Sequence, residues 1–321
     1  MFTLQLNFWW TMNKTFEKIK QSRFFLAIGA VLCSLLWGSA FPAIRLAHKH
    51  FDTEPLANHM AFAGIRFFIA GIFVLGFIQK NKLYWRNCPK KGLMLVALFQ
   101  VVLQYILFYW GLNVAPAVLG AILVSTGSFW WVLLAPMVDK TESVNFKQFF
   151  AVGVGFLGVV ICVMNKEGGG DSYLSGLFFI FSSLCGTIAT LFVRPMNRKV
   201  PPHFLVGASL MLGGLCLMLL VPGASWGLVM NFNASLGLLT IWLAFVSSAA
   251  FSLWYYLVTI FDVPRLRGYR MLIPVCGVLE SVLLLEDESL SWNYLIGGTV
   301  VLLGIFLLEK MQRKPASSSS S

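Results

Sequence analysis

Arg66 and Glu280 are the residues of this chain whose charges most need a partner, because both lie inside long apolar segments. A charged side chain at bilayer depth is costly unless it faces a polar cavity or a partner. Arg66 lies about 15 Å along its helix, where it either hydrogen-bonds neighbouring carbonyls or contacts a ligand. Burial favours the neutral form of a carboxyl, so Glu280 is either a proton carrier or cation contact, or a carboxyl exposed to an outer vestibule. If their segments face one cavity, the two side chains approach each other.

A second set of polar and aromatic side chains could form a cavity for an amphipathic ligand. Gln100 and Gln104 are four residues apart and therefore share one face of a helix. For each aromatic residue, a lipid-facing or core position is the alternative. The predicted binding residues are Trp37, Ser39, Arg66, Gln100, Gln104, Tyr109, Trp130 and Tyr255.

The sequence predicts neither a metal centre nor a cofactor site. The six cysteines lie mostly in apolar segments and show no metal-ligand spacing. His48 and His50 flank Lys49 in a predicted outer loop, where such side chains are usually solvated. No phosphate-binding glycine loop is found, which argues against ATP hydrolysis by this chain. An enzyme would need several converging acids, histidines or metal ligands, so we expect no catalytic residues.

The elements that carry these residues are apolar segments of membrane-spanning length. The 321 residues are 58% hydrophobic and 12% charged. Backbone polar groups in lipid must be satisfied within a segment, which favours helices, and the runs do not alternate as barrel strands do. We predict an all-α membrane protein with ten transmembrane helices, at about 24–46, 56–79, 92–112, 118–138, 146–164, 174–196, 203–222, 236–260, 268–286 and 292–309.

The distribution of positive charge predicts the orientation. Most of the 24 Lys and Arg residues lie in the N-terminal arm, in every second loop and in the C-terminal tail, whereas Arg45, Lys49 and Lys166 lie on the opposite side. The positive-inside rule therefore predicts cytoplasmic termini in an inner or plasma membrane. Topology thus explains the net charge of +11, and because the basic residues are spread over short loops we expect no nucleic-acid partner.

The chain divides into two halves of similar design. Gly158 in the fifth span matches Gly304 in the tenth. Because five spans is an odd number, the second copy enters from the opposite side, and such inverted repeats are typical of secondary transporters. The predicted units are a cytoplasmic arm (1–23), a first five-helix repeat (24–164), a linker (165–173), a second five-helix repeat (174–309) and a cytoplasmic serine-rich tail (310–321).

Three motifs occur in order along the predicted spans. They are Leu36–Phe41 in span 1, Ala63–Phe67 in span 2 and Tyr269–Val278 in span 9, ahead of the acidic turn Glu286–Glu288. Together they resemble the signatures of the EamA family within the drug/metabolite transporter superfamily. The resemblance implies a multi-pass permease of the inner or plasma membrane that exports small metabolites, amino acids or drugs.

One departure from the family pattern concerns the fourth span. Ser128 stands where the family commonly has a proline matching Pro274. Proline kinks a helix, so its absence predicts a straighter fourth helix.

The leading hypothesis is a secondary-active transporter that exports a small metabolite, amino acid or drug-like compound by alternating access. The candidate coupling ion is the proton, carried by Glu280, and the protein is a monomer or a homodimer in the lipid bilayer. The alternatives are a lipid-carrier or sugar-phosphate transporter of the same superfamily, and a membrane-embedded lipid-modifying enzyme.

Overall fold

The computed structural model describes residues 23–50, 55–78, 81–138, 145–164, 172–196, 199–230, 232–261, 269 and 272–312. Regular structure within these ranges is entirely helical. The predicted N-terminal arm up to residue 22, the linker residues 165–171 and the tail from residue 313 lie outside them.

Every predicted span contains a helix. The helices of the first half are α1 (Arg23–His48), α2 (Pro55–Gly76), α3 (Asn81–Asn87), α4 (Lys90–Val114), α5 (Ala117–Val124), α6 (Gly127–Val138) and α7 (Phe146–Val163). The helices of the second half are α8 (Ser172–Met196), α9 (Pro202–Leu220), α10 (Pro222–Met230), α11 (Ala234–Ile260), α12 (Leu272–Leu284) and α13 (Trp292–Gln312).

The helix lengths fit a multi-pass membrane protein. In the described ranges, eight stretches are long and apolar enough to cross a membrane, with α5 and most of α6 counted as one. The apolar parts of α12 and α13 are shorter. The short helices α3 and α10 lie outside the predicted spans, and α10 packs against α2.

Local sequence determines where several helices begin. The Asn145 side chain accepts a 2.9 Å hydrogen bond from the Gln148 N–H, and the Gln148 side chain accepts one from the Asn145 N–H. This reciprocal pair satisfies two donors at the start of α7. The Asn233 side chain likewise accepts from the Leu236 N–H at 2.8 Å and begins α11.

Two helix pairs pack backbone to backbone through glycine. In the α2–α9 pair, a Cβ atom added to Gly71 would lie 2.3 Å from the Met211 nitrogen. In the α7–α13 pair, a Cβ atom added to Gly304 would lie 2.6 Å from the Gly155 Cα. Small residues allow this close approach, which strengthens packing in a lipid solvent that gives helices little hydrophobic reason to associate.

The remaining long helices pack against helices of the other half. α1 packs against α11 and α12, whereas α8 packs against α4, α5 and α6. These contacts enclose the centre of the molecule with helices from both halves.

The prediction of a straighter fourth helix was wrong. The predicted span is interrupted by a turn at Ser125 and Thr126, which separates α5 from α6. The Ser125 and Thr126 hydroxyls donate to the carbonyls of Ile122 and Leu123 at 2.5 and 2.6 Å. Hydroxyl side chains that bond the preceding turn compete with the helical ladder, so a helix can be broken here without proline.

The helix α4 also departs from regular geometry. Leu98–Leu103 forms a π-helical segment within it. Segments of this kind are frequent at functional sites, because the wider turn redirects the side chains that it carries. Gln100 lies inside the segment and Gln104 directly follows it.

Candidate functional site

A cavity with a volume of about 160 Å³ lies between the two halves. Its walls come from α1, α4, α5 and α6 of the first half and from α8, α11 and α12 of the second. The lining residues are Trp37, Ala40, Phe41, Ile44, Gln100, Gln104, Tyr105, Phe108, Val124, Gly127, Ser183, Gly186, Thr187, Thr190, Phe251, Trp254, Tyr255 and Ile273.

Much of the wall is aromatic. Trp37 packs edge-on against Phe251, with ring centroids 5.4 Å apart, and lies 5.7 Å from Trp254. Phe41 and Phe108 form a second edge-on pair at 5.6 Å. Rings fixed by such contacts form a rigid apolar surface, which suits the apolar part of a small ligand.

Two glutamines provide the polar part of the α4 wall. The Tyr255 hydroxyl donates a 2.7 Å hydrogen bond to Gln100 Oε1. Gln100 is 3% exposed, and its Nε2 atom has no hydrogen-bond partner among the described residues. Gln104 reaches the opposite wall, where a Cβ atom added to Gly186 would lie 2.7 Å from Gln104 Oε1. A cavity-lining residue thus carries a buried amide donor that has no partner among the described residues.

The facing wall on α8 carries hydroxyl groups. The Thr187 hydroxyl lies within hydrogen-bond distance of the Ser183 and Gly127 carbonyls, at 2.9 and 3.2 Å. The Thr190 hydroxyl donates to the Gly186 carbonyl at 2.8 Å. Because each hydroxyl proton is used within the protein, these groups present oxygen lone pairs to the cavity.

Four of the predicted binding residues line this cavity: Trp37, Gln100, Gln104 and Tyr255. Ser39 and Trp130 are not among its lining residues. The Ser39 hydroxyl donates to the Leu36 carbonyl at 2.8 Å, and the Trp130 Nε1–H donates to the Ile180 carbonyl at 3.2 Å.

Arg66 and Tyr109 lie in a buried cluster behind the α4 wall. Arg66 is 1% exposed, and its Cζ atom is 4.1 Å from the Phe67 ring centroid, 5.1 Å from that of Tyr105 and 5.6 Å from that of Tyr109. Its Nη1 atom donates a long 3.5 Å hydrogen bond to the Ser247 hydroxyl. The Nε and Nη2 atoms are buried without a hydrogen-bond partner among the described residues.

The histidines of α1 and α2 extend this cluster. The His48 and His59 rings stack with centroids 3.6 Å apart, and the His48 ring lies 5.3 Å from that of Tyr109. The expectation of a solvated His48 was therefore wrong, because α1 continues to this residue and buries it against α2. Sequence reasoning also missed His59 and Tyr105. A signal for His59 was available, since it lies seven residues before Arg66 on one helix face.

Glu280 lies on α12 outside the cavity lining. Its Oε1 atom would be 2.9 Å from a Cβ atom added to Gly38, so the carboxyl packs where α12 meets α1. Arg66 and Glu280 form no salt bridge. Among the described residues, the salt bridge of this protein joins Lys49 and Asp287 at 3.2 Å.

The acidic turn after α12 contacts the start of α5 at one end of the molecule. The Glu288 carboxylate accepts hydrogen bonds from the Ala117 and Val118 N–H groups, at 2.5 and 3.2 Å. Burial raises the pKa of Glu288, and these N–H groups oppose the rise. Burial also acts to raise the pKa of Asp287, but backbone hydrogen bonding and Lys49 hold that pKa below its ordinary value. We call these contacts, with the Lys49–Asp287 salt bridge, the end closure.

Comparisons with known proteins agree with this architecture. A solved structure described only as a crystal structure of a protein superposes with a TM-score of 0.57 at 17% identity, covering 92% of this chain and 100% of the other. This similarity shows a shared fold.

Curated relatives align over most of the chain. A probable amino-acid metabolite efflux pump of Escherichia coli is 23% identical over 297 residues, which span 87% of this chain and 92% of the relative. An uncharacterised transporter of Archaeoglobus fulgidus is 23% identical, spanning 88% of this chain and 96% of the relative. The model of the EamA-like transporter family matches residues 24–164 and 174–309, almost the whole of the helical chain, and the protein therefore belongs to that family.

Proposed function

We propose that this transporter is secondary-active and exports a small metabolite, amino acid or drug-like compound through the central cavity by alternating access. The observation that carries the proposal is that corresponding helices of the two halves contribute to the cavity. In chain order, α1, α4 and the α5–α6 pair correspond to α8, α11 and α12, and all of them provide lining residues. A site between repeats is the arrangement through which two halves can rock about a bound substrate.

Helix packing supports two inverted five-helix repeats and hence ten spans. α1 packs against α11 and α12, and its counterpart α8 packs against α4 and the α5–α6 pair. The glycine-packed pairs α2–α9 and α7–α13 each join a helix to its own counterpart. The contacts therefore follow a two-fold pattern, although α12 and α13 are shorter than the other spans.

The end closure supports an inward-facing state of the transport cycle. It joins residues near the ends of α1, α5 and α12, whereas lining residues such as Thr190 and Ile273 lie toward the opposite ends of their helices. With cytoplasmic termini, as the basic loops favour, the closed end is the outer one. Alternation to an outward-facing state then requires the end closure to break.

We assign direct substrate contact to Trp37, Gln100, Gln104 and Tyr255. Arg66 and Tyr109, which are buried behind the α4 wall, influence the site indirectly in this state. Ser39 and Trp130 stay candidates for helix packing next to the site. Glu280 is the candidate proton carrier, because it is the acidic residue within the described spans and packs where two cavity-lining helices meet.

Two alternatives within the superfamily are less well supported. A sugar-phosphate transporter would need several cations at its site, yet none of the described lining residues is Lys or Arg. A lipid carrier would need a long apolar path, whereas the α4 and α8 walls are polar. The protein is a transporter rather than an enzyme.

The proposal is tested by counterflow and uptake in proteoliposomes, with a panel of amino acids, nucleosides and cationic drugs, with and without a pH gradient. We expect saturable flux for one class that is lost in Gln100→Leu. Thr299→Val, an exposed change on α13, is the matched control and retains flux. No flux above protein-free vesicles for any of these classes would contradict the proposal.

A further inference from the structure

The guanidinium of Arg66 is a fully buried cation that has no acidic partner among the described residues. It is 1% exposed, and two of its three nitrogen atoms, Nε and Nη2, have no hydrogen-bond partner there. Taking a cation out of water is unfavourable unless an anion or a full set of acceptors compensates. The ring faces of Phe67 and Tyr105, the Ser247 hydroxyl, and electrostatic and hydrogen-bonding interactions with the Tyr105 and Tyr109 side chains compensate only in part, because no anion is among them. The site is therefore suited to a negative group that the protein itself does not supply.

One of the side chains that line the cavity also contacts this cation. Tyr105 lines the cavity, and its ring centroid lies 5.1 Å from Arg66 Cζ. Tyr105 follows the π-helical segment Leu98–Leu103 within α4, where backbone hydrogen bonding is less regular than in an α-helix. Access of a ligand from the cavity to the guanidinium therefore requires that the Tyr105 side chain moves.

The α4 side of the cavity suits a negative group, whereas the α8 wall presents hydroxyl lone pairs. None of the described lining residues is acidic, and the Arg66 cation lies behind the α4 wall, against the cavity-lining Tyr105. The Gln100 Nε2 donor, buried and without a partner in the described ranges, lies on the same wall. An acceptor with two oxygen atoms could bind this amide and the Arg66 guanidinium together.

Resting on the proposed function, we propose that Arg66 and Gln100 form a carboxylate subsite, and that the exported substrate is an amphipathic carboxylate. Its apolar body contacts the aromatic wall formed by Trp37, Phe251 and Trp254, and its carboxylate lies at the α4 wall. Cationic drugs are excluded, because their charge would meet the Arg66 cation in a site without acidic residues among its described walls.

A pair of probes that differ mainly in charge tests this subsite. The wild-type chain, reconstituted in nanodiscs at neutral pH, is titrated with 3-phenylpropanoate and with 3-phenylpropanamide while tryptophan fluorescence is recorded. We expect the carboxylate to bind about tenfold more tightly than the amide, as one charge-assisted hydrogen bond provides. Equal affinity for the two probes, or no affinity for either, overturns the inference.

Two matched variants test whether Arg66 is the residue that distinguishes the carboxylate probe from the amide probe. Arg66→Gln is expected to reduce the preference for the carboxylate to within about twofold. Lys82→Gln removes the same charge from an exposed position and is expected to retain the preference. A preference that survives in a folded Arg66→Gln, or that is lost equally in Lys82→Gln, overturns the inference.

A second variant covers the case in which Arg66→Gln does not fold. Gln100→Glu can still accept the Tyr255 hydrogen bond, but it replaces the amide donor with a negative oxygen. It is expected to weaken binding of the carboxylate about tenfold and to weaken binding of the amide less, because only the carboxylate is also repelled by the new charge. Unchanged carboxylate binding overturns the inference.

Two further measurements distinguish the carboxylate subsite from a phosphate site and from the proposed transport function itself. Inorganic phosphate in excess is expected not to displace 3-phenylpropanoate, and full displacement would overturn the assignment of a carboxylate substrate. If proteoliposomes transport only neutral or cationic compounds, the proposed function stands and the carboxylate subsite is wrong.

Discussion

The Tyr255 hydroxyl donates a 2.7 Å hydrogen bond to Gln100 Oε1, which joins α11 of the second half to the π-helical segment of α4 in the first. The two residues are 155 positions apart in the chain and both line the cavity. This bond orients the Gln100 amide and occupies its oxygen, whereas the buried Nε2 atom has no partner among the described residues. It also links the two halves that would move relative to each other in the proposed alternating access.

Removal of this bond should alter substrate affinity. Tyr255→Phe leaves Gln100 free to rotate, and we expect KM to rise about tenfold and stability to fall by about 1 kcal/mol. Transport kinetics in proteoliposomes and thermal unfolding in detergent measure the two effects. Tyr173→Phe, at an exposed position on α8, should change neither. Wild-type KM in Tyr255→Phe would show that the bond does not order the site.

Cysteine accessibility should separate the cavity wall from the cluster behind it. In a background without native cysteines, Gln104→Cys should react with a water-soluble thiol reagent, and bound substrate should slow the reaction. Tyr109→Cys should react at least about tenfold more slowly, because Tyr109 is fully buried and a buried thiol is inert. Mass spectrometry of the labelled protein gives both rates. Equal rates would mean that the cavity reaches the Arg66 cluster without a change in Tyr105.

Glu280 should determine the response to a pH gradient if it carries the proton. Glu280→Gln keeps the size of the side chain but cannot titrate, so transport should lose its dependence on the gradient while folding and substrate binding persist. Flux at several imposed gradients measures this directly. Gradient dependence equal to that of the wild type would leave Glu280 as a packing residue between α12 and α1.

The end closure should depend on pH through Glu288. Its raised pKa means that the folded state takes up a proton more readily than the unfolded state does. The folded state therefore favours the protonated form of Glu288. The contribution of Glu288 to the free energy of unfolding should grow as the pH falls from about 7 to about 5. Asp287, with its lowered pKa, acts in the opposite direction at lower pH.

A difference between variants isolates this contribution. The Tm of the wild type minus that of Glu288→Gln should increase as the pH falls through this range, because glutamine cannot bind the proton. The same difference taken with Ser289→Ala, a substitution of an exposed neighbour that does not titrate, should stay constant. A wild-type minus Glu288→Gln difference that is independent of pH would contradict the assignment.

The α7–α13 contact should tolerate no side chain at its glycines. A Cβ atom at Gly158 would lie 2.6 Å from the Gly297 carbonyl oxygen and the Val301 nitrogen, which are backbone atoms that cannot move independently. Gly158→Ala should therefore cost about 1–3 kcal/mol. Gly153→Ala, on the same helix with nothing within 4 Å, should be neutral or stabilise the helix by up to about 1 kcal/mol. Thermal unfolding of the two variants gives the comparison, and equal Tm values would mean that the two helices separate easily.

The sequence alone was sufficient to predict where the helices lie. Apolar runs such as 146–164 and 203–222 correspond to α7 and α9 within two residues at either end, because backbone groups in lipid must be satisfied locally and helices are the local solution. The spacing of Gln100 and Gln104 likewise predicted a shared face, and both residues line the cavity. Motifs in three of the spans predicted the family correctly.

Only the tertiary structure decided which of these side chains meet. The Glu288 carboxylate reaches the start of α5 across 171 residues, His48 stacks on His59 instead of entering solvent, and Arg66 packs against Tyr105 rather than pairing with Glu280. Helix periodicity determines the face on which a residue lies, but the partner depends on the rotation and depth of a neighbouring helix. The rotation and depth of each helix are set by many weak packing contacts between glycines, hydroxyls and rings that are distant in the chain. The turn at Ser125–Thr126 and the π-helical segment Leu98–Leu103 change the positions of the side chains further.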